Sequence, residues 1–423
     1  RRSVMPDMLY TAERDPSRCV LCGVCENLIL CARVRSQSID ACTGCGACSL
    51  VCPNEAVHMV ERFEARHITV SVDKEVVSIP ERITVRKALE GLGYAVTRFP
   101  TERAIFAPCE VGGCYSCAVS IDGKVQPSCI TPVREGMEIV TELPASYPPL
   151  RCVHGWMGHS AGGVGTPWYL KGSSQFIEAA VFACGCNLRC PQCQNWTTTY
   201  NGVEPPQTPG AAATTMTHIR HRYGIDRMAI SGGESTLNRP WLVAYLQELR
   251  RLNPDSSARF HVDTNATILT RDYIDELVVA GMTDIGPDLK GLDVETFMSM
   301  TGLRDRELAE HYLRNAWDMV EYLVNTYKDK IFIGVGIPYN KALIPRDEIA
   351  TMGEKIYRID PDIQVCVLDY RPEFRRLYLQ RPTRSEMGEI WKLLDGIGLT
   401  TVICQTSSGH IGPKMNLTTA FFT

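Results

Sequence analysis

Nineteen cysteines, fifteen of them in four tight groups, constrain this 423-residue chain more than any other feature. The first group is Cys19-x2-Cys22-x2-Cys25-x5-Cys31, and the second is Cys42-x2-Cys45-x2-Cys48-x3-Cys52, followed by Pro53. The third is Cys109-x4-Cys114-x2-Cys117-x11-Cys129, and the fourth Cys186-x3-Cys190-x2-Cys193. Disulfides account poorly for this pattern. The count is odd, the chain is large, and Arg1-Arg2 leads into polar sequence without an export signal. Zinc uses similar cysteine pairs but has no need of a third thiol two residues on. The spacings therefore point to iron–sulfur clusters, which predicts an anaerobic or strongly reducing setting.

The first two groups form an internal repeat that resembles the bacterial two-[4Fe–4S] ferredoxins. In that family the fourth cysteine of each run ligates the other run's cluster. The resemblance implies one [4Fe–4S] cluster on Cys19, Cys22, Cys25 and Cys52, and a second on Cys42, Cys45, Cys48 and Cys31. Gly23, Gly44 and Gly46 let the backbone wrap the cubane. The first run departs from the family pattern, with five residues before Cys31 and no proline after it. The third group opens with plant-type [2Fe–2S] spacing. Together with Thr131–Met137 it resembles the β-grasp ferredoxin domains of large redox enzymes. Cys109, Cys114, Cys117 and Cys129 are its expected ligands.

Around these groups the sequence divides into a ferredoxin-like domain over 1–66, a β-grasp [2Fe–2S] domain over 67–142, a Gly/Pro-rich connector over 143–175 and an α/β domain over 176–423. Alternation over Ile68–Val72 and Glu75–Ile79 predicts a hairpin, and Val85–Leu92 a short helix. From about 176 onward, apolar runs (Phe176–Ala183, Arg227–Ser231, Arg259–Asp263, Asp284–Asp288, Ile331–Ile337, Ile363–Leu368) read as buried parallel strands. Amphipathic helices alternate with them: Pro240–Leu252, Arg271–Ala280, Glu307–Tyr327 and Arg384–Leu394, with a last strand at Thr400–Cys404. This is a partial (β/α)6 barrel, whose functional residues belong at the C-terminal strand ends.

The fourth cysteine group lies in the loop after the first of those strands. Three thiolates hold three irons of a cubane and leave the fourth open, as a catalytic metal centre requires. Here the chain resembles the radical S-adenosylmethionine (radical SAM) superfamily, over roughly the last 250 residues. The resemblance implies that Cys186, Cys190 and Cys193 bind a third [4Fe–4S] cluster, on which SAM is cleaved to a 5′-deoxyadenosyl radical. Ser231-Gly232-Gly233-Glu234 matches the family's Gly-Gly-Glu element, which receives the SAM ammonium. Asp263-Thr264-Asn265 and Asp288-Leu289-Lys290 resemble the pyruvate formate-lyase-activating-enzyme branch. By that resemblance Asp263, Thr264 and Asp288 lie near the SAM carboxylate and can hold a monovalent cation there. Two departures stand out. Gln192 occupies a position often aromatic in the superfamily, with Trp196 as a substitute for packing on adenine or as a core residue. Cys184 is a fourth thiol beside the motif.

Later strand ends supply Tyr339 and Tyr370, as hydrogen donors to a radical or as packing residues, and Cys404 as a thiol placed for chemistry. Cys366 reads as a buried hydrophobe. Cys152, beside His154, is one more ungrouped thiol. Three clusters upstream of a SAM cluster read as a wire fed by a soluble low-potential electron donor. The expected reaction is modification of a carbon centre in a protein or peptide. Its specific form is C-methylation, as in the archaeal radical SAM enzymes that methylate methyl-coenzyme M reductase. That chemistry calls for cobalamin, yet no D-x-H-x-x-G motif is present. A corrinoid would have to bind over the barrel mouth, near His154, His159 or Tyr339. Glycyl-radical activation is the alternative within this class, and those activases carry their ferredoxin insert after the SAM motif rather than before it. An iron–sulfur electron-transfer subunit is the alternative outside it. A net charge of −4 without a basic run argues against nucleic acid, and no apolar run of spanning length suggests a membrane, so a cytoplasmic location is expected.

Overall fold

A computed structural model describes residues 9–36, 38–62, 66–171, 176–415 and 417–418. The chain folds as two compact units. The first comprises Arg1–His154, Ala183–Asn187 and Asn195–Thr208, and the second Gly155–Phe182, Leu188–Gln194 and Pro209–Thr423. Among the described residues no helix is long and apolar enough to cross a membrane.

In the first unit, strands β1 (Leu9–Arg14) and β2 (Val57–Arg62) pair antiparallel, Leu9 opposite Arg62 and Arg14 opposite Val57. This ribbon ties together both ends of the eight-cysteine segment. Between its strands, the short helices Val24–Asn27 and Ala47–Val51 each start after a glycine in the left-handed region, Gly23 (φ 73°) and Gly46 (φ 79°). A side chain there would cost strain, which is why the repeat carries glycine after its second cysteine. Next come β3 (His67–Val72) and β4 (Glu75–Pro80), then the two-residue strands β5 (Val96–Thr97) and β6 (Ile105–Phe106). Strands β7 (Ala118–Ile121), β8 (Lys124–Pro127) and β9 (Glu138–Val140) follow, and the order β4-β3-β9-β7-β8 makes a five-stranded sheet. Helix Val85–Gly91, capped by Thr84 accepting from Lys87 N, packs Ala88 and Leu89 onto it with Val70, Ile79, Ile121 and Ile139. Burial of such side chains contributes about 1.5–3 kcal/mol each.

The connector expected over 143–175 is more ordered than its composition suggested. Arg151–His159 is a strand, β10, whose Arg151 and Cys152 pair with Gln207 and Pro206 of β12 (Pro206–Gln207) in the first unit. Gly155 and Gly158 inside β10 erase the alternation that would have marked it. A 3-10 turn covers Trp168–Leu170, and residues 172–175 lie outside the described set.

The second unit is built on β11 (Glu178–Ala183), β13 (Arg227–Gly232), β14 (Arg259–Thr264), β15 (Asp284–Pro287), β16 (Phe332–Tyr339), β17 (Gln364–Asp369) and β18 (Thr401–Thr406), neighbours in that order. Strands β13 through β18 are mutually parallel. The antiparallel strands β19 (Gly409–Ile411) and β20 (Leu417–Thr418) complete the edge. Helices alternate with the parallel strands, as the apolar periodicity requires. Helix Arg239–Leu252 buries Trp241, Leu242, Tyr245, Leu246 and Leu249, and Asn238 caps it by accepting from Trp241 N at 3.2 Å. Helix Arg384–Ile397 starts with a reciprocal Thr383–Glu386 capping box.

A buried ion network holds the glycine-rich segment 161–167 in this unit. Arg227 on β13 is 3 % exposed and donates to Asp284 Oδ1 at 2.8 Å and to the Gly165 carbonyl at 3.2 Å. Lys171 donates to the carbonyls of Ala161 (3.1 Å), Gly162 (3.4 Å) and Gly163 (3.1 Å). Gln364 accepts from Trp168 N at 2.8 Å and donates to the Thr166 carbonyl at 2.8 Å. Burial disfavours ionised Asp284, but Arg227 and Thr283 outweigh it and hold the carboxyl below its ordinary 3.8. Arg227→Met is expected to destabilise this unit by up to about 3 kcal/mol, since it removes the buried one of the two arginines that neutralise Asp284 and leaves Arg259 alone at 3.0 Å. A depressed carboxyl lends stability above its unfolded value and loses it as pH falls through the folded one. The deficit of Arg227→Met against wild type should therefore stay full at neutral pH and shrink only as denaturation is repeated below 3.8, the carboxyl's ordinary value. A deficit independent of pH would argue for a purely steric role.

Candidate functional site

The first unit gathers the cysteines of the first three groups. A cavity of about 110 Å³, open in part to solvent, is lined by Cys19, Cys22, Cys25 and Cys52, with Gly23 and Pro53. Ala56 N donates to Cys52 Sγ at 3.3 Å, and Arg14 points Nη2 at Cys25 Sγ at 3.7 Å. Cys52 thus joins the three thiols of the other run, across 27 residues of chain, because β1 and β2 close the segment on itself. Cys31 makes the reciprocal crossing. Burial pushes the Cys48 thiol up to about 12, reinforced by Cys45, Cys31 and Cys42 close by. Ala12 N donates to Cys42 Sγ at 3.4 Å. Backbone N–H groups aimed at sulfur suit a thiolate–cluster site, where they offset anionic charge.

Cys109, Cys114, Cys117 and Cys129 are all buried in one pocket of the same unit. Cys109 and Cys114 Sγ stand 3.2 Å apart, and Cys129 bonds to both Cys109 and Cys117. Burial, with Cys109 alongside, pushes Cys114 well above the ordinary thiol value. Four converging buried thiols fit a [2Fe–2S] group. Among the described residues no set of three or more His, Cys, Asp or Glu side chains is placed to hold a single metal ion. A polynuclear cluster spreads its ligands more widely than one ion does.

In the second unit, the segment after Asn187 is clamped from both sides. Arg189 N donates to the Thr301 carbonyl at 2.8 Å, and Arg375 N donates to the Pro191 carbonyl at 2.9 Å. Gln192 is fully buried and donates to the Met300 carbonyl at 2.8 Å, so this position serves packing rather than an aromatic face. Burial pushes Cys190 up to about 12, with Lys290 opposing and Cys193 and Asp288 adding to the rise. These influences place Cys190 beside Cys193, Asp288 and Lys290.

Strand ends supply the rest. Ser231 and Gly232 end β13, and Gly233 leads into Glu234, which is 1 % exposed. The Glu234 carboxylate, expected to receive the SAM ammonium, accepts from Thr236 N (3.0 Å), Thr236 Oγ1 (2.6 Å), Thr264 Oγ1 (2.7 Å) and Asn265 N (2.6 Å). It braces the ends of β13 and β14, and any ammonium contact is shared with those donors. Asp263 pairs with His261 Nε2 at 3.1 Å, and Asp288 pairs with Lys290 Nζ at 2.6 Å. Lys290 also donates to Tyr370 Oη at 3.3 Å. Oδ1 of Asp288 is buried without a hydrogen-bond donor, whereas Oδ1 of Asp263 faces the His261 ring nitrogen at 3.1 Å. An unmatched carboxylate oxygen at a strand end fits a bound cation or a ligand with donors of its own.

The expected catalytic residues separate. Tyr370 joins Asp288 and Lys290 near Cys190, and burial raises its hydroxyl. Tyr339 is buried at the end of β16 and faces Glu386, Lys341 and Arg346 instead. Cys404 is fully buried inside β18 beside Cys366, and burial raises its thiol well above the usual value. Residues absent from the expected set include Glu178 and His261. Glu178 Oε1 lies 3.1 Å from His159 Nδ1, and Oε2 lies 3.3 Å from His261 Nδ1. Burial opposes charge on His261, but Asp263 and Glu178 outweigh it and raise the imidazole to about 9. A lone charged residue inside an apolar strand run was the available signal, in Ile177-Glu178-Ala179 and Phe260-His261-Val262.

Comparison with known proteins places this geometry in a class. Residues 181–344 match the radical SAM superfamily, residues 65–144 a 2Fe-2S iron-sulfur cluster binding domain, and residues 38–58 a 4Fe-4S binding domain. The chain therefore carries a radical SAM domain, preceded along the sequence by [2Fe–2S]- and [4Fe–4S]-binding domains. Among individual proteins it is similar to an AdoMet-dependent heme synthase of Methanosarcina barkeri, 30 % identical over 136 residues, covering 30 % of this chain and 35 % of the relative. It is also similar to an uncharacterized protein of Methanocaldococcus jannaschii, 32 % identical over 94 residues, covering 22 % of this chain and 20 % of that one. The matched segments thus span about a third or less of these curated relatives. Streptococcus suis SuiB bound to S-adenosylmethionine aligns with TM-score 0.39 at 15 % identity, covering 55 % of this chain and 50 % of that one.

Glu234→Gln is expected to cost about 1–3 kcal/mol, because an amide nitrogen then faces a donor that had an acceptor. Thermal or denaturant unfolding of the two proteins reads this directly, and equal stability would remove the bracing role.

Proposed function

We propose that this chain is a radical SAM enzyme that reductively cleaves SAM to modify a carbon centre in a protein or peptide. The second unit then works as a partial (β/α)6 barrel, and the first as a two-[4Fe–4S] ferredoxin-like domain followed by a β-grasp [2Fe–2S] domain. The observation that carries the reading is the coincidence of two features. A three-cysteine motif leaves one iron position open, and the carboxylates of Asp263 and Asp288 lie at the ends of adjacent strands, with Oδ1 of Asp288 buried and unmatched. Cys186, Cys190 and Cys193 would hold a [4Fe–4S] cluster, which would supply the single electron for reductive cleavage of SAM.

The chain's own groups divide the remaining work. Lys290, held at 2.6 Å by Asp288, presents a fixed positive charge for the SAM carboxylate. Thr264 and Asn265, tied to Glu234, keep the β13 and β14 ends in register, and the backbone of Ser231–Gly233 meets the SAM ammonium. Asp263 and Asp288 offer two oxygens to a monovalent cation. Tyr370, bonded to Lys290, is the better placed of the two tyrosines for hydrogen transfer, and Cys404, enclosed in its strand, is the least accessible of the three groups.

The specific form we favour is C-methylation with a bound cobalamin, an assignment that rests on the ferredoxin-like front end of the sequence. His154 bonds to Thr198 Oγ1 at 2.8 Å and His159 to Glu178, so a corrinoid ligand drawn from either would first give up that bond. A second reading, action on a tetrapyrrole, takes its motivation from the heme synthase relative.

Anaerobic protein given SAM and dithionite should release 5′-deoxyadenosine, and Cys186→Ala, Cys190→Ala or Cys193→Ala should abolish that release while the iron of the other sites stays. Release undiminished by all three changes would remove the assignment. Corrinoid absorption after reconstitution with cobalamin, with a methyl mass shift on a co-purifying protein, supports methylation. A modified porphyrin product in its place supports the second reading.

A further inference from the structure

The first half of the catalytic motif is built into the [2Fe–2S] pocket of its own unit. Cys184 N donates to the Cys152 carbonyl at 3.0 Å, and Cys152 N donates to the Gly113 carbonyl at 3.0 Å. Two backbone bonds thus join the motif loop to the Cys109–Cys117 loop. Arg151, fully buried, adds a bond to the Cys184 carbonyl at 3.4 Å. Gly185 presses on the pocket itself. A Cβ on it would stand 2.9 Å from Cys109 Cβ and 3.0 Å from Cys114 N. From the other side, a Cβ on Gly113 would stand 2.8 Å from Cys184 Cβ.

A second contact lies on the far flank of the same pocket. Gly202 N donates at 2.8 Å to the carbonyl of Leu28, which lies between Cys25 and Cys31. Gly202 also abuts the carbonyl of Val111, between Cys109 and Cys114. Segments of all the cysteine groups therefore meet in one unit. Leu28, Gly202 and Val111 form one junction; Cys109, Cys114 and Gly185 form the other, with Cys186 the next residue along.

We propose that the Cys109–Cys129 site is the last station of an internal electron path, passing electrons singly to the Cys186 site through Gly185, and that the paired ferredoxin-type sites feed it across Leu28, Gly202 and Val111. Electron tunnelling falls steeply with distance and favours bonded, closely packed atoms over gaps. A junction with no room for a methyl group, covalently adjacent to a ligand of the next site, is a short and closely packed path for it. Plant-type [2Fe–2S] centres also work in the low-potential range such a path needs. The donor is a reduced soluble iron–sulfur or flavin protein. For each SAM cleaved, that donor is oxidised by one electron. Each station is reduced by one and reoxidised by one in turn. The electron ends in the carbon–sulfur bond that breaks, without proton transfer along the path. Cys152 and Cys184 are buried spacers at the junction.

This inference rests on the radical SAM reading, and its test separates the two. Full-length protein reconstituted with iron and sulfide is reduced stepwise under anaerobic conditions. The spin relaxation of the [2Fe–2S] signal is followed by electron paramagnetic resonance. A second paramagnet at short range should make that signal relax severalfold faster once the SAM cluster is also reduced. In C186A/C190A/C193A the acceleration should be absent. Wild type poised with only the [2Fe–2S] site reduced gives the same comparison without any substitution. Relaxation indifferent to the redox state of the SAM cluster would overturn the proposed order of stations, even if 5′-deoxyadenosine still forms. Coupling without 5′-deoxyadenosine would leave the path standing and sink the enzyme assignment instead.

Discussion

A guanidinium buried at the base of a parallel sheet has to be neutralised, and the second unit is organised around meeting that demand. Arg227 takes Asp284 from β15 and a glycine carbonyl from the segment before β11, while Arg259 supports Asp284 at 3.0 Å. Charges this deep are tolerated only when paired and hydrogen-bonded. The pairing therefore ties three separate chain segments to one point. Through Glu178, which accepts from Gly163 N at 3.0 Å, the same network reaches His261 and from there Asp263. What anchors the sheet also orients a carboxylate at its C-terminal edge.

That coupling explains why the strand ends are so polar without being solvent-exposed. Glu234 directs both oxygens to the end of β14, Asp263 faces His261, and Asp288 turns one oxygen to Lys290 while its other stays buried and unmatched. Unsatisfied buried acceptors are costly in an isolated fold and become useful when a ligand brings donors. The geometry of the second unit is that of a site poised for an incoming charged molecule rather than one completed by its own side chains.

In the first unit the dominant constraint is the need to bring thiols together from distant points of the chain. The β1–β2 ribbon folds the eight-cysteine segment on itself, so Cys52 returns to Cys19, Cys22 and Cys25, and Cys31 to Cys42, Cys45 and Cys48. The mixed five-stranded sheet gives the third group a dry pocket, and glycines at its rim admit neighbouring backbone that any side chain would exclude.

Local spacing was enough to single out the four cysteine groups and the iron–sulfur domain types, because cluster ligation requires thiols at short fixed intervals. Apolar periodicity located most strands and helices to within a residue or two, since burial on a parallel sheet demands unbroken runs; Arg271–Ala280 ends where it was expected. Strand β10 escaped notice because its glycines carry no apolar signal. Only the tertiary structure separated Tyr370 from Tyr339 and Cys404, filled the Glu234 carboxylate, and brought Gly185 onto the [2Fe–2S] loop. Those outcomes depend on which distant residues become neighbours, and a pairwise contact across a hundred positions leaves no trace in the spacing of either partner.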